Sequence, residues 1–285
     1  MESNIKKNIK DIQKLKNAPN PFVAITAYDF PSAQIINDLE IPITLVGDSA
    51  SMVVYGYKDT TLIDMEEMLL ITKAVARGLH TSLLVGDMPF MSYQPSIELA
   101  IKNAGRFIKE GKVDAVKLEG GREYLAQIRE IIKAGIPVMG HIGLKPQSVL
   151  INSGYQIQGK NMESAIEIYK DALALEKVGV FAVVLEGVPT ELAEIITRQL
   201  SIPTIGIGAG AKCDGQIQVW HDIIGLYNTK VPRHAHMYGN INKQIKETIM
   251  QYVKQVTAKK FPSKSHSVTM DSKEIKKLKS AIENI

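Results

Sequence analysis

The sequence is poor in cysteine and contains no long apolar segment. A single cysteine, Cys213, occurs in 285 residues, so no disulfide can form within the chain and nothing ties the protein to an oxidising compartment. No apolar run approaches the roughly 20 residues that span a bilayer. The segment 1–17 alternates charged with apolar side chains and lacks the apolar core of a secretory signal. We therefore expect a cytoplasmic protein with no membrane partner.

Aromatic residues are also scarce, at 6% of the chain, and the excess of positive charge is confined to the two ends. Against a net charge of +4, residues 1–20 carry +3 and residues 259–285 carry +4, so the segment between them is acidic, at −3. A nucleic-acid-binding surface is typically a basic folded face with aromatic side chains among the charges. Neither end has an aromatic cluster. We predict two solvated lysine-rich segments and no nucleic-acid partner.

The sequence does contain a regular alternation of short apolar runs with longer segments of helical spacing, which is typical of βα units around a parallel sheet. Runs rich in Val, Ile, Leu and Ala predict eight strands, at 21–29, 43–49, 82–88, 114–120, 137–143, 181–187, 203–210 and 216–220. Apolar residues at i, i+3 and i+4 predict helices at 31–40, 64–78, 96–110, 122–134, 163–178, 190–200 and 240–258. Asp64 and Ser96 stand where helix N-caps are expected.

Eight strands with helices between them predict an α/β fold with a single (β/α)8 TIM barrel, which typically takes about 250 residues. The alternative is a doubly wound open sheet, which usually has fewer strands, and no G-x-G-x-x-G motif follows the first strand here. We predict an N-terminal capping helix in an extension at 1–20, a catalytic barrel at 21–262 and a lysine-rich helical tail at 263–285. The loop 143–161 is long and mostly polar, as functional lids and binding segments often are.

Chemically active side chains occur where five consecutive predicted strands end. Because the active site of a (β/α)8 enzyme lies at the C-terminal ends of its strands, we expect these side chains on one rim of the barrel. In strand order they are Asp48 and Ser49, Asp87, Lys117 and Glu119, His141, and Glu186. A lone carboxylate after a strand is usually a helix cap, but four on one rim repel one another and require a balancing cation. Mg²⁺ prefers oxygen ligands and fits this set.

Several of these residues admit more than one interpretation. Lys117 is a clamp for a substrate carboxylate, an ion-pair partner of a neighbouring acid or, less compatibly with a metal-rich rim, a Schiff-base lysine. Glu186 stands two strands beyond the fourth-strand acid, so it either acts as a base or pairs with a basic side chain. His141 either binds an acidic substrate oxygen or is a structural histidine. The glycine run 206–210 is an anion site or a tight turn, and Cys213 is interpreted as structural.

At these same residues the sequence resembles the ketopantoate hydroxymethyltransferase (3-methyl-2-oxobutanoate hydroxymethyltransferase) family. The resemblance extends from about residue 20 to about residue 267, and long motifs carry it. Among them are LVGDSASMVVYGY (45–57), GDMPFMSYQ (86–94), VKLEGG (116–121), PVMGHIGLKPQSV (137–149), LEGVP (185–189) and IPTIGIGAGAKCDGQIQVWHDIIGL (202–226).

The resemblance implies transfer of a hydroxymethyl group from 5,10-methylenetetrahydrofolate to 3-methyl-2-oxobutanoate, giving 2-dehydropantoate (ketopantoate) for pantothenate and coenzyme A synthesis. It implies Mg²⁺, which would stabilise the substrate enolate, and a ring-shaped homo-oligomer, commonly a decamer. The implied site residues are the metal ligands Asp48, Asp87 and Glu119, the substrate contacts Asp48, Ser49, Asp87 and Lys117, and the proton acceptor Glu186. His141 joins the substrate contacts because of its position on the rim.

Four features depart from the family pattern. Ser51 stands where the family has glycine, and Lys145 where it often has threonine. The segment 229–240 matches poorly, and residues 268–285 extend beyond the usual end, with the spacing of a lysine-rich amphipathic helix. None of these departures removes a predicted ligand or the predicted base.

Two other functions compete with the transferase. Barrels related to isocitrate lyase also bind Mg²⁺ and 2-oxo acids, but they cleave C–C bonds and typically carry a reactive cysteine in an active-site loop. Here the only cysteine, Cys213, follows the seventh predicted strand. A non-enzymatic barrel would be expected to have lost acids from the rim, and because all of them are present this alternative is the least favoured.

Overall fold

The computed structural model describes residues 5–151, 154–227 and 232–284. Two positions of the predicted loop 143–161 and the beginning of the poorly matching segment 229–240 lie outside these ranges. The chain forms two compact units, Met1–Tyr238 and Gly239–Ile285.

The first unit is built on eight parallel strands that close into a barrel in chain order, as the alternating pattern predicts. Each strand pairs with the next, and the eighth pairs with the first. The strands are β1 Phe22–Thr26, β2 Ile43–Val46, β3 Leu83–Asp87, β4 Ala115–Glu119, β5 Val138–Gly143, β6 Ala182–Glu186, β7 Thr204–Ile207 and β8 Gly215–Gln218. The fold class predicted from the sequence is therefore confirmed.

The six helices predicted within this unit are present, with ends within three residues of the expected ones, and the short helices at Ala50–Val53 and Trp220–Ile224 were not predicted. The Asp64 carboxylate accepts a hydrogen bond from the Glu67 amide at 2.9 Å, and the Ser96 hydroxyl accepts one from the Leu99 amide at 3.1 Å, so both N-caps are confirmed. The helices are α1 Ile9–Gln13, α2 Phe30–Asp38, α3 Ala50–Val53, α4 Met65–Gly78, α5 Ile97–Lys109, α6 Leu125–Lys133, α7 Met162–Val178, α8 Thr190–Gln199 and α9 Trp220–Ile224, with single 3₁₀ turns at Arg122–Tyr124 and Pro146–Ser148.

The strands are apolar along their whole length because both of their faces are buried. One set of side chains, such as Leu83 and Val85, packs inside the barrel. The alternate set, such as Leu84, packs outward in a cluster that includes Phe107 of α5. Inside the barrel the N-terminal parts of the strands are therefore apolar, and polar side chains such as Asp87 and Lys117 come after them.

Helix α1 supplies side chains at the N-terminal end of the barrel. Ile12 is fully buried among the side chains of the barrel interior. Just beyond the helix, the Lys16 ammonium donates to the Asp214 carboxylate at 2.9 Å, and both side chains are buried. The Asp214 carboxylate also accepts from the backbone amides of Asn17 and Thr204, at 3.2 and 2.8 Å. The predicted N-terminal capping helix is thus held against the barrel by the packing of Ile12 and by the buried ion pair between Lys16 and Asp214.

All eight strands are shorter than predicted, and four of them, β1, β2, β7 and β8, end two or three residues early. The second strand ends at Val46, and residues 47–49 turn into α3, where the Val53 amide donates to the Ser49 carbonyl at 3.0 Å. The eighth ends at Gln218, and Trp220 begins α9. After β2 the polar stretch 47–49 forms a turn and not strand. After β8 the apolar residues Val219 and Trp220 lead into a helix, because a short apolar run does not distinguish strand from helix.

The second unit contains α10, Ile241–Thr257, and α11, Ser272–Ile282, with a 3₁₀ turn at Lys264–His266 between them. The Asn240 side chain caps α10 by accepting from the Lys243 amide at 3.1 Å. Helix α11 lies within the segment 268–285 that was predicted to be helical. No helix among the described residues is long and apolar enough to cross a membrane.

Candidate active site

The polar residues of the rim occupy inward-facing positions of their strands. Side chains alternate between the two faces of a strand. Val85 packs inside the barrel, and Asp87 follows it with the same parity. Val184 and Glu186 are related in the same way on β6. The pattern that builds the apolar interior therefore also directs these charged side chains into the mouth of the barrel.

One cavity of about 860 Å³ opens over these strand ends, within the usual size range of small-molecule sites. The loop after β5 contributes Tyr155, Ile157 and Lys160 to its wall. The structure brings together every site residue predicted from the sequence, since the lining includes Asp48, Ser49, Asp87, Lys117, Glu119, His141 and Glu186.

Three buried acids and one lysine form a connected cluster on one side of the cavity. The Lys117 ammonium donates to Asp87 Oδ1 at 2.7 Å, and the backbone amide of Asp48 donates to Asp87 Oδ2 at 3.1 Å. The register explains this contact, because Asp87 and Lys117 are opposite one another on β3 and β4. Among the neighbouring acids that the sequence offers as ion-pair partners, Lys117 therefore pairs with Asp87.

The cluster carries more negative charge than Lys117 balances. Burial and the charge of Asp87 raise the pKa of Asp48 to about 7. Burial and the charge of Asp48 raise the pKa of Glu119 well above its usual range. Burial alone would lower the pKa of Lys117, but the charges of Asp87 and Asp48 outweigh it and raise that pKa. Lys117 is therefore a charged group and not the neutral amine that a Schiff base requires.

His141 lines the cavity between two acids. Its Nδ1 lies 3.6 Å from Glu119 Oε1, and its Nε2 lies 3.3 Å from Glu186 Oε2, in neither case with hydrogen-bonding geometry. Burial and the charge of Lys117 lower the pKa of His141, which favours the neutral imidazole. Glu186 is more accessible than the other acids, with 17% of its side chain exposed. A partly solvated carboxylate beside a neutral imidazole can accept a proton from a molecule in the cavity.

A conformationally special glycine ends β5 against the backbone of Glu186. Gly143 ends β5 with φ of +95°, and a Cβ atom there would lie 2.3 Å from the Glu186 carbonyl oxygen. Only glycine permits both the left-handed backbone and this close approach. The turn carries the chain toward Gln147.

The structure adds two residues that the sequence interpretation missed. Gln147 is 4% exposed, and its Nε2 donates to Asp48 Oδ2 at 2.9 Å while its backbone amide donates to Glu119 Oε2 at 3.0 Å. The Tyr28 hydroxyl lies 2.7 Å from the Ser49 hydroxyl. Its partners are distant in sequence, so no local pattern predicts these contacts. The one signal that could have identified Gln147 is its position after β5, at the rim where the other site residues lie.

The remaining candidates lie at the edge of the site or outside it. Cys213 is 3% exposed, is absent from the cavity wall, and has a pKa raised by burial. This agrees with a structural role, since a reactive thiol needs an accessible thiolate. In the glycine run, Gly208 lines the cavity with φ of +62°, as in a tight turn.

The donor set of the cluster fits a hard divalent cation. Within the described residues, no three His, Cys, Asp or Glu side chains already form a metal-binding group, but Mg²⁺ commonly takes one or two carboxylates and completes its shell with water and substrate. Glu119 Oε1 is buried without a hydrogen-bond partner. An unpaired buried carboxylate oxygen is costly, and a cation at this position would remove that cost.

The sequence profile and the related sequences agree on one family. The sequence profile described as Ketopantoate hydroxymethyltransferase matches residues 6–264. Proteins named 3-methyl-2-oxobutanoate hydroxymethyltransferase are similar over nearly their whole length. The one from Dehalococcoides mccartyi is 48% identical, covering 96% of this chain and 98% of its own. The one from Clostridium beijerinckii is 47% identical, covering 96% of this chain and 100% of its own.

Solved structures resemble the fold at low sequence identity. A phosphonopyruvate hydrolase, whose structure was also determined with oxalate and Mg²⁺, aligns with a TM-score of 0.59 at 12% identity over 97% of this chain and 96% of its own. A 2,3-dimethylmalate lyase, a member of the PEP mutase/isocitrate lyase superfamily, aligns with a TM-score of 0.57 at 14% identity, covering 97% of this chain and 95% of its own. At this identity the likeness concerns the barrel alone.

Proposed function

The chain belongs to the ketopantoate hydroxymethyltransferase family, and on that premise we propose how its cavity acts on 3-methyl-2-oxobutanoate to form ketopantoate. The observation that carries the proposal is the division of the cavity into two sides. One side holds Asp48, Asp87, Glu119 and Lys117, and Glu186 lies apart from it, beyond His141. One side suits binding of an anionic oxo acid, and the other suits proton removal.

The oxo acid binds with its two oxygen-bearing groups toward the acid cluster. Asp48, Asp87 and Glu119 are the proposed ligands of Mg²⁺, directly or through water. When bound, this ion supplies Lewis-acid stabilisation of the charge that develops on the keto oxygen. The charged Lys117 offsets the substrate carboxylate, since its pKa is raised by Asp87 and Asp48. Ser49, oriented by Tyr28, donates a hydrogen bond to the substrate.

Glu186 removes the proton from the substrate carbon next to the ketone. Its carboxylate faces the cavity and has no competing ion pair with Lys or Arg among the described residues. The adjacent His141 is favoured in its neutral form, so it can bind a substrate oxygen without neutralising the base. The electron pair left on the carbon then attacks the methylene carbon of the one-carbon donor, 5,10-methylenetetrahydrofolate, as one of its two C–N bonds breaks and the freed nitrogen takes the proton from Glu186. Water then replaces the second C–N bond, giving its hydroxyl to the carbon and its proton to the nitrogen, so tetrahydrofolate leaves and the hydroxymethyl group stays on the product.

The one-carbon donor in this proposal is 5,10-methylenetetrahydrofolate. A cavity of about 860 Å³ is much larger than a small oxo acid requires. The wall formed by Tyr155, Ile157 and Lys160 joins an aromatic ring, an aliphatic side chain and a positive charge. These properties suit a flat heterocycle with an acidic tail.

A coupled assay with the oxo acid and the folate tests this proposal. We expect ketopantoate to form, to stop forming in EDTA and to form again when Mg²⁺ is restored. Absence of ketopantoate with folded protein would contradict the transferase itself. Equal rates with and without chelator would contradict only the metal. Exchange of the substrate C3 proton with solvent deuterium, followed by NMR without folate, isolates the proton-removal step.

The lyase alternative lacks a specific observation in its favour. Cys213, the only cysteine of the chain, is buried away from the cavity, so no thiol is available as a reactive group there. Incubation of the protein with 2-hydroxy acids in the absence of folate is expected to give no cleavage products.

Location and assembly complete the proposal. A cytoplasmic location is supported by the single buried cysteine, because such a chain gains no disulfide from an oxidising compartment. A homo-oligomer, commonly a decamer in this family, is proposed from family membership. Light scattering coupled to size exclusion measures it directly.

A further inference from the structure

Gln147 lies in the 3₁₀ turn Pro146–Ser148 after β5 and is buried at 4% exposure. A buried primary amide requires partners for its donor hydrogens and for its acceptor oxygen. The Gln147 Nε2 donates to Asp48 Oδ2 at 2.9 Å and to the Met88 carbonyl at 3.0 Å. Both donor positions are therefore filled by groups at the ends of neighbouring strands.

The orientation of this amide is determined by its surroundings. Gln147 Oε1 lies 2.9 Å from the Tyr93 hydroxyl and accepts from Gln94 Nε2 at 3.1 Å. A half rotation of the amide would place Oε1 against the Asp48 carboxylate and the Met88 carbonyl, which are both acceptors. The Nε2 donor therefore faces Asp48, since the Met88 carbonyl beside it can only accept.

The same residue also holds the second buried acid, through its backbone. The Gln147 amide donates to Glu119 Oε2 at 3.0 Å, so one oxygen of Asp48 and one oxygen of Glu119 are bound by a single residue. Glu119 Oε1 has no partner, and no group in the described part of the chain donates to Asp48 Oδ1. Both oxygens of Asp87, in contrast, accept hydrogen bonds, from Lys117 and from the Asp48 amide.

We propose that Gln147 is a positioning residue that orients Asp48 and Glu119 so that one oxygen of each remains for a divalent cation. This inference rests on the proposed function, in which both carboxylates are Mg²⁺ ligands. Groups that hydrogen-bond metal ligands keep those ligands in the binding orientation, and their loss typically lowers metal affinity or activity by about 10- to 100-fold. A purely structural Gln147 would instead affect stability and leave the affinity unchanged.

The test is Gln147→Met, which keeps the length of the side chain and the backbone amide but removes the donor to Asp48. Binding of Mn²⁺ and of Mg²⁺ to metal-stripped protein is measured by calorimetry. We expect the dissociation constant to rise by about 10- to 100-fold. We also expect kcat to return toward the wild-type value at saturating Mg²⁺, because the chemical groups are intact. Gln156→Met, at an exposed position of the same loop, is the matched control and should bind as wild type.

Gln94→Met serves as a second variant and applies even if Gln147→Met does not fold. It removes one of the two groups that hold Gln147 Oε1 without touching either acid. We expect a smaller rise in the dissociation constant, about three- to tenfold, as for the loss of one hydrogen bond.

The outcomes separate this inference from the proposed function. A wild-type protein that binds neither Mn²⁺ nor Mg²⁺ would contradict the metal site and the inference together. If the wild type binds the metal and both variants bind it with the wild-type affinity, the positioning role is wrong while the proposed function stands. A Gln147→Met variant that melts at a lower temperature in EDTA but keeps the wild-type metal affinity would also overturn the positioning role, since that result indicates a purely structural residue.

Discussion

At the N-terminal end of the barrel, Lys16 and Asp214 form a buried ion pair, and Asp214 accepts further hydrogen bonds from two backbone amides. At the C-terminal end, Glu119 Oε1 and both ring nitrogens of His141 are buried without a hydrogen bond. Both ends bury charge inside the same barrel. One end satisfies its polar groups, and the other leaves several of them unpaired.

This difference separates stability from function. A buried polar atom without a partner destabilises the folded state by about 1–3 kcal/mol, so a cluster of such atoms calls for a ligand. The acids at the C-terminal end surround the cavity, whereas Lys16 and Asp214 line no part of it. Mutations at the N-terminal end should therefore mainly lower stability, and mutations at the C-terminal end should mainly lower activity.

The largest expected effect is on turnover, at the C-terminal end. Glu186→Gln should lower kcat by about 10²- to 10⁴-fold, since a general base typically contributes that much. Its melting temperature should stay close to the wild-type value, because the side chain is partly exposed. Steady-state kinetics and C3 proton exchange measure the effect. Glu191→Gln, an exposed change on α8, is the control, and an undiminished exchange rate in Glu186→Gln would exclude Glu186 as the base.

At the N-terminal end, Asp214→Asn should lower the free energy of unfolding by about 3–5 kcal/mol, because it leaves Lys16 buried without a countercharge. The kcat of the folded protein should not change. Urea denaturation and the specific activity of the folded fraction measure the two quantities. Glu130→Gln, in a largely exposed pair with Lys133, should cost less than about 1 kcal/mol. Similar losses of unfolding free energy in the two variants would contradict the prediction that the buried ion pair matters more for stability than the exposed one.

The stability of the metal-free protein should depend on pH because of the acids at the C-terminal end. The pKa of Asp48 is raised from 3.8 to about 7 by burial and by Asp87. Between these values the folded state binds more protons than the unfolded state, so stability falls as pH rises from about 4 to about 7. At about 1.4 kcal/mol per pKa unit, the fall is on the order of a few kcal/mol.

Asp48→Asn isolates this contribution, because it removes the titrating group. Unfolding in EDTA at several pH values should show a smaller decline for this variant than for wild type, and Mg²⁺ should restore wild-type stability mostly at the higher pH. Parallel curves for the two proteins would show that Asp48 does not titrate in this range.

The smallest expected effect concerns Ser51, where the resemblance to the family predicts glycine. Its hydroxyl donates to the Asp59 carbonyl at 2.5 Å, and its side chain is fully buried in α3. Ser51→Gly should lower the free energy of unfolding by about 1–2 kcal/mol, through the lost hydrogen bond and the greater backbone freedom. Activity should change less than about twofold. A large loss of metal affinity would instead show that this residue shapes the cluster.

Much of the fold and the membership of the site follow from local patterns. Apolar runs with strand parity predict the barrel, and the same parity places Asp87 and Glu186 inside it. The prediction extended β2 and β8 too far. The polar stretch 47–49 forms a turn, and the short apolar run 219–220 is compatible with strand or helix. Lys145 pairs with Glu123 at 2.6 Å, a contact that no local pattern predicts.

The sequence by itself determined the order of strands and helices and which charged side chains face the barrel mouth, because both depend on spacings of a few residues along the chain. Only the tertiary structure decided that Lys117 pairs with Asp87, that Cys213 is buried away from the cavity, and that Gln147 joins Asp48 to Glu119. Gln147 and Asp48 are 99 positions apart. Their contact depends on how closed strands and a returning loop meet in space, which a local spacing does not encode.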